Sequence, residues 1–206
     1  PESIRLPMAV QLDSLSVGKI SIKDTDNVVL KGGELAYVYD HQNHLITLKH
    51  LQSPWSSNQG KLTLNTVSPF ALTGQITGGG EVENIPVEGT IDLGGSLQQL
   101  TLNANLQGGK VNLIATTQLS PFENSLNKII GNLHIKGKGI NPVDFLPSAP
   151  QADLEFDAFI IPTDAQANLA LEGAIDLANH AAAPADKKGI PVRSIVGDFT
   201  INQAGI

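Results

Sequence analysis

Ile85-Pro86-Val87-Glu88-Gly89-Thr90-Ile91-Asp92-Leu93 is the stretch that decides the fold. Aliphatic residues and one glycine hold the odd positions; proline, glutamate, threonine and aspartate hold the even ones. In an extended chain successive side chains point to opposite faces, so this segment has one apolar and one polar face. A helix would place apolar residues three and four apart, and this stretch does not.

The same alternation extends outward in both directions. Toward the N-terminus it recurs at Leu62 and Leu64, Ile46 and Leu48, and Leu35, Tyr37 and Tyr39. It recurs again at Ile20 and Ile22, and through Ile4, Leu6, Met8, Val10 and Leu12. Toward the C-terminus it runs through Leu100, Leu102, Ala104 and Leu106, then Val111, Leu113 and Ala115. Leu154, Phe156, Ala158 and Ile160 come next, then Leu169, Leu171, Gly173, Ile175 and Leu177, and last Ile195, Gly197, Phe199 and Ile201. Turn residues separate the runs at Lys31-Gly32-Gly33, Gly78-Gly79-Gly80, Gly94-Gly95-Ser96 and Gly108-Gly109. Short strands at this spacing predict an antiparallel all-β protein. One-sided alternation predicts a sheet with one wet face, polar throughout.

A looser repeat, apolar-x-Gly-x-apolar, is laid over the alternation. It occurs at Leu72-Gly74-Ile76, Val87-Gly89-Ile91, Ile129-Gly131-Leu133, Leu171-Gly173-Ile175 and Ile195-Gly197-Phe199. Gly89, Gly131 and Gly173 are evenly spaced, and Gly197 comes at a shorter step. Each glycine shares the apolar face with its neighbours, where it marks a bend or the close approach of another group. Two architectures satisfy this. The glycines let one sheet curve around a smooth concave apolar face, or they relieve crowding where two sheets pack in a sandwich.

Helix signals are few. Ser120-Pro121-Phe122-Glu123 has the form of a capping box ahead of Leu126, Ile129 and Ile130, yet Ile129, Gly131, Leu133 and Ile135 also alternate and are read as strand. Asn141-Pro142-Val143-Asp144-Phe145-Leu146 predicts one helical turn stopped by Pro147. The whole of 1–206 reads as one continuous β segment, with weak junctions near 147–150 and 181–188. The chain begins at Pro1 and its only methionine is Met8, so a longer protein around it is expected.

Composition narrows the function. There are 13 Lys+Arg against 20 Asp+Glu, a formal charge of −7, and no basic run, which argues against nucleic acid as a partner. No apolar run approaches the roughly 20 residues of a membrane-spanning helix. With no cysteine, neither disulfides nor thiolate metal sites exist.

Sites for chemistry fare poorly. His41, His44 and His50 cluster without a supporting carboxylate set, and a polar hairpin with exposed imidazoles is the better reading. Asp24-Thr25-Asp26-Asn27 opens like a calcium loop but has Val29 and Leu35 where glycine and glutamate are needed. Gly137-Lys138-Gly139 and Gly78-Gly79-Gly80 lack a phosphate-loop ending and read as turns. Glu88, Asp92, Glu172 and Asp176 fall on polar strand faces. Trp55, after Pro54, reads as a loop anchor. No catalytic residue, metal or cofactor is expected, and the chain is read as not an enzyme.

Ile4-Arg5-Leu6-Pro7 with Leu12-Asp13-Ser14-Leu15-Ser16-Val17-Gly18-Lys19-Ile20 resembles a repeat opening of the TamB family. Leu51-Gln52-Ser53-Pro54-Trp55, then Gly60, Leu62 and Leu64, then Ser68-Pro69-Phe70-Ala71-Leu72-Thr73-Gly74, is similar to the next segment of that family. Ile140-Asn141-Pro142-Val143-Asp144-Phe145-Leu146-Pro147-Ser148-Ala149-Pro150 resembles its Asn-Pro … Ala-Pro element. These motifs run from about residue 4 to 177.

The resemblance implies a segment of an AsmA-like, bridge-type lipid-transfer protein in the periplasm of a diderm bacterium. Its inner-membrane anchor would lie outside this segment. It implies an elongated, curved antiparallel sheet forming a U-shaped groove, with an outer-membrane TamA-like barrel protein as partner. The function implied is non-enzymatic phospholipid transport between inner and outer membrane. Leu72, Gly74, Ile76, Val87, Gly89, Ile91, Leu93, Ile129, Gly131, Leu133, Ile135, Leu171, Gly173, Ile175, Leu177, Ile195, Gly197, Phe199 and Ile201 would line the groove against acyl chains. The alternative is a scaffold for outer-membrane protein assembly, including autotransporters, acting by strand augmentation. A closed β-sandwich binding module is the third reading.

Overall fold

The structure is a computed structural model that describes residues 2–21, 28–165 and 168–202. Ile22 and the acidic stretch 24–27 lie outside the described residues. The chain divides into two compact units, Pro1–Leu100 and Thr101–Ile206. The first carries β1 (Val10–Val17), β2 (Ile20–Ser21), β3 (Val28–Leu30), β4 (Gly32–Tyr39), β5 (Asn43–Gln52), β6 (Ser56–Asn65), β7 (Leu72–Val82) and β8 (Ile85–Gly95). β9 (Leu100–Gly108) opens the second, which holds β10 (Val111–Leu119), a single helical turn α1 (Leu126–Ile129), β11 (Ile130–Ile140), β12 (Leu154–Ala165), β13 (Asn168–Asn179) and β14 (Ser194–Asn202). The protein is all-β. Twelve strands form one antiparallel sheet in the order β1-β4-β5-β6-β7-β8-β9-β10-β11-β12-β13-β14, with β2 and β3 paired separately. β1 and β14 end that order, so the sheet is not closed into a barrel.

In the first unit the register aligns the alternating residues. Leu12 pairs with Tyr37, Tyr37 with Ile46, Ile46 with Leu62, Leu62 with Gly74, and Gly74 with Leu93. The next row is Leu15, Leu35, Leu48, Gly60, Ile76 and Ile91. Directly opposed residues share a face, so both rows lie on one side. Two bulges keep them there. Leu12 and Leu15 are an odd step apart, which in a regular strand would split them between faces. The register shifts between them, and it shifts again between Leu48 and Leu51. Each extra residue restores the phase of the apolar set.

The second unit repeats this arrangement without the first unit's residues. Its rows are Leu113-Gly137-Phe156-Leu177-Ile195, Ala115-Ile135-Ala158-Ile175-Gly197 and Thr117-Leu133-Ile160-Gly173-Phe199.

Several local expectations are corrected. Gly78-Gly79-Gly80 is not a turn but part of β7, with Gly78 opposite Gly89 and Gly80 opposite Val87. The β7–β8 turn is Glu83-Asn84, whose φ values of 48° and 65° make the two-residue connection a right-twisted hairpin needs. Gly137-Lys138-Gly139 likewise lies inside β11, at a register shift where Gly139 has φ 69°. Ser120-Pro121-Phe122-Glu123 makes a turn, with the Glu123 N–H donating to the Ser120 carbonyl at 3.0 Å, and the helical turn begins only at Leu126. Ile129, read as strand, closes that turn: its N–H donates to the Ser125 carbonyl at 2.8 Å, and strand starts one residue later. Pro142–Asp144 forms the single helical turn predicted there, of 3-10 type.

Candidate functional site

Leu72, Gly74 and Ile76 lie on β7, and Val87, Gly89, Ile91 and Leu93 on β8, joined by the pairs Gly74–Leu93, Ile76–Ile91 and Gly78–Gly89. In the second unit Gly131, Leu133 and Ile135 lie on β11, Leu171, Gly173, Ile175 and Leu177 on β13, and Ile195, Gly197, Phe199 and Ile201 on β14. The register brings Leu171 to Ile201, Gly173 to Phe199, Ile175 to Gly197 and Leu177 to Ile195. Ile129 stands outside these rows, in α1. The glycine motif alone missed half the face. Leu35, Tyr37, Ile46, Leu48 and Leu62 complete it in the first unit, and Leu113, Phe156, Ala158 and Ile160 in the second. Their signal was the alternation itself, carried across the bulges.

These faces are mostly half-buried. Leu12 and Leu15 are 43% and 48% exposed on β1, and Ile195 and Ile201 are 49% and 55% exposed on β14. Full burial is confined to a few residues, among them Leu48 and Ala158. A sheet covered by a second layer would bury these aliphatics almost entirely.

The glycines do not leave empty lanes along the face. A Cβ on Gly74 would lie 2.5 Å from Leu62 Cδ2, and one on Gly137 would lie 2.5 Å from Phe156 Cε1 and 2.7 Å from Leu113 Cδ2. One on Gly173 would lie 2.7 Å from Phe199 Cζ. In each case the directly opposed residue lays its side chain over the glycine. A large residue covering a cross-strand glycine smooths the surface and fixes register. At Gly197 nothing lies within 4 Å.

Each unit's face ends in a buried polar or aromatic assembly. In the first unit this is Tyr39, Thr66 and Phe70, each at most 3% exposed. His44 sits among them, stacked on Tyr39 with ring centroids 5.0 Å apart. Its Nε2–H donates to the Ile4 carbonyl at 3.0 Å, which leaves Nδ1 to accept from the Tyr37 hydroxyl at 2.7 Å. Removal from water, then the neighbouring Tyr39, raises the Tyr37 pKa. The expectation of exposed imidazoles therefore fails at His44, because two tyrosines enclose it. In the second unit the assembly is built on Asn179, 5% exposed. Its Oδ1 accepts from Asp153 N and Ala181 N, and its Nδ2 donates to the carbonyls of Ile190 and Val192. All its hydrogen-bonding capacity is used, so one side chain ties the segment after Pro150 to the segment after Asn179.

At the other end of the first face, Ser53, Ser56 and Asn58 form a hydroxyl–amide cluster, with Asn58 Nδ2 donating to Ser56 Oγ at 3.0 Å. Asn58 pairs with Gly78, whose lack of a side chain makes room for the amide. Trp55 beside it, expected as a loop anchor, is 72% exposed.

Among the described residues no three potential metal ligands converge, and no helix is long and apolar enough to cross a membrane. Comparison with protein-family models, with curated proteins and with solved structures returns no match for this chain. Function is therefore read from the faces themselves.

Proposed function

We propose that the aliphatic sheet face binds acyl chains, as a segment of a non-enzymatic phospholipid conduit of the TamB type in the periplasm. One observation carries this reading. The register collects the alternating aliphatics of successive strands on one side, and those side chains remain half-exposed. Large exposed apolar surface in a folded protein marks a binding face. Each methylene moved from water to such a face gains about 0.8 kcal/mol. Because the lining is mostly aliphatic along its rows, with glycines and a few rings, an acyl chain shifted by one strand meets a similar apolar surface. In this reading the sheet curves into a U-shaped groove with the aliphatic side concave. The segment spans between an inner-membrane anchor and an outer-membrane TamA-like partner.

A charge on this face abolishes lipid binding; the same charge on the other face does not. Ile76→Glu and Thr77→Glu are adjacent and point to opposite sides of β7. Native mass spectrometry of the chain mixed with phospholipid is expected to show adducts for wild type and Thr77→Glu and none for Ile76→Glu. Equal adducts in both variants overturn the reading.

A further inference from the structure

The second face of the unit Thr101–Ile206 is not polar throughout. Ile114 and Ile161 are 45% exposed there, Phe159 is 50% and Val196 is 76%. The register joins Ile114, Lys136, Asp157, Asp176 and Val196 into one row across β10 to β14. The first four line a single shallow depression of about 420 Å³. Two residues along β12 from Asp157 stands Phe159, its ring stacked on His134 at 4.0 Å. Across the strands the row runs apolar, cationic, anionic, anionic, apolar.

This order is self-complementary about β12. A rotation of 180° about an axis along β12 lays β10 of one copy over β14 of another, and β11 over β13. Ile114 then meets Val196, and Lys136 meets Asp176. Phe159 meets its own equivalent on the axis. Glu155 and Asp157 also lie on the axis, but within its own chain Glu155 is held by His180 Nε2 at 2.8 Å, and Asp157 by Lys136 Nζ at 2.8 Å and by His134 Nε2. A rotation about an axis across the strands would instead stack Lys136 on Lys136 and Asp176 on Asp176, which like-charge repulsion disfavours.

We propose that a second copy of this chain docks on this face, in an isologous contact whose two-fold axis runs along β12. The contact leaves the aliphatic face of the same unit uncovered, so it stands whether or not that face binds lipid. Single-sign charge reversal disrupts it and exchange of the two charges restores it.

The test is sedimentation equilibrium of the whole chain, wild type against Lys136→Glu, Asp176→Lys and the double variant. Each single reversal is expected to weaken dimerisation by roughly tenfold or more, and the double variant to recover it. Circular dichroism of each variant establishes that the fold is kept. The chain has no cysteine, so introduced thiols report cleanly. Faces about 10 Å apart suit a short bis-maleimide better than a disulfide. Phe159→Cys is expected to cross-link to itself, and Ile114→Cys only when mixed with Val196→Cys. A wild-type chain that stays monomeric at all concentrations overturns the proposal. So does a dimer that withstands both single reversals, or one in which Ile114→Cys cross-links to itself.

Discussion

Behind the aliphatic rows of the unit Pro1–Leu100 stand Thr47, Lys61, Gln75 and Asp92, with Gln75 Nε2 donating to Asp92 at 2.7 Å. Behind those of Thr101–Ile206 stand Ile114, Phe159, Ile161 and Val196. The back of the first unit is thus polar along this row, with Val38 and Leu45 elsewhere on it, while the back of the second mixes exposed apolar residues with Lys136, Asp157 and Asp176. Consecutive apolar residues put side chains on that back: Leu113-Ile114, Phe159-Ile160-Ile161 and Ile195-Val196 in the second unit, as Leu45-Ile46 does in the first. Period-two reading counts the residue in phase and passes over its neighbour. A consecutive apolar pair in a strand necessarily sets one side chain on each face.

The end assemblies give the comparison its largest expected effects. Phe70→Ala removes a ring that is 3% exposed and is expected to cost about 3–5 kcal/mol in urea unfolding. Phe122→Ala, at a ring 64% exposed, is expected to change stability by less than about 0.5 kcal/mol. Equal effects would mean that the first unit's end is not packed as described. Asn179→Ala strands the groups that its amide satisfies in the second unit and is expected to cost about 2–4 kcal/mol. A loss below about 1 kcal/mol would show that the two segments hold together without it.

Glycines separate next. Gly137→Val drives a branched side chain into Phe156 and Leu113, for an expected loss of about 1–3 kcal/mol by thermal melting. Gly197→Ala meets open space and is expected to be neutral to within about 0.5 kcal/mol. If both are neutral, the glycines are not seats for their neighbours. Thr66→Val tests a smaller term. The Thr66 hydroxyl is buried with no partner among the described residues, so replacing it with an isosteric methyl is expected to leave the melting temperature unchanged or raise it.

The smallest expected effect is electrostatic. Lys136, then His134, holds the Asp157 carboxyl below its ordinary value of 3.8. A depressed carboxylate stabilises the fold above the unfolded value, and that contribution fades as pH falls through the folded one. Asp157→Asn is therefore expected to cost stability at neutral pH, by less than about 1 kcal/mol for so exposed a pair, and to converge with wild type as pH falls through the lowered folded value of the carboxyl. A difference that grows on acidification would reverse the assignment.

Strands were legible because period two survives in a single chain, as at Val87-Gly89-Ile91-Leu93. The bulges at Leu12–Leu15 and Leu48–Leu51 were not, since a phase slip has meaning only against a partner strand. The glycines were located but not explained: Gly137 is covered by Phe156, brought there by a long connection. Nor did 179–193 announce that Asn179 would bind both of the second unit's long loops.

The most direct measurement places a photo-crosslinking residue at Ile91 or at Thr90 of the protein in living cells. The two side chains point to opposite faces of β8, so each controls for the other. Phospholipid adducts are expected at Ile91 and none at Thr90. Adducts only within the chain at Ile91, or lipid equally at both positions, would contradict an acyl-binding face.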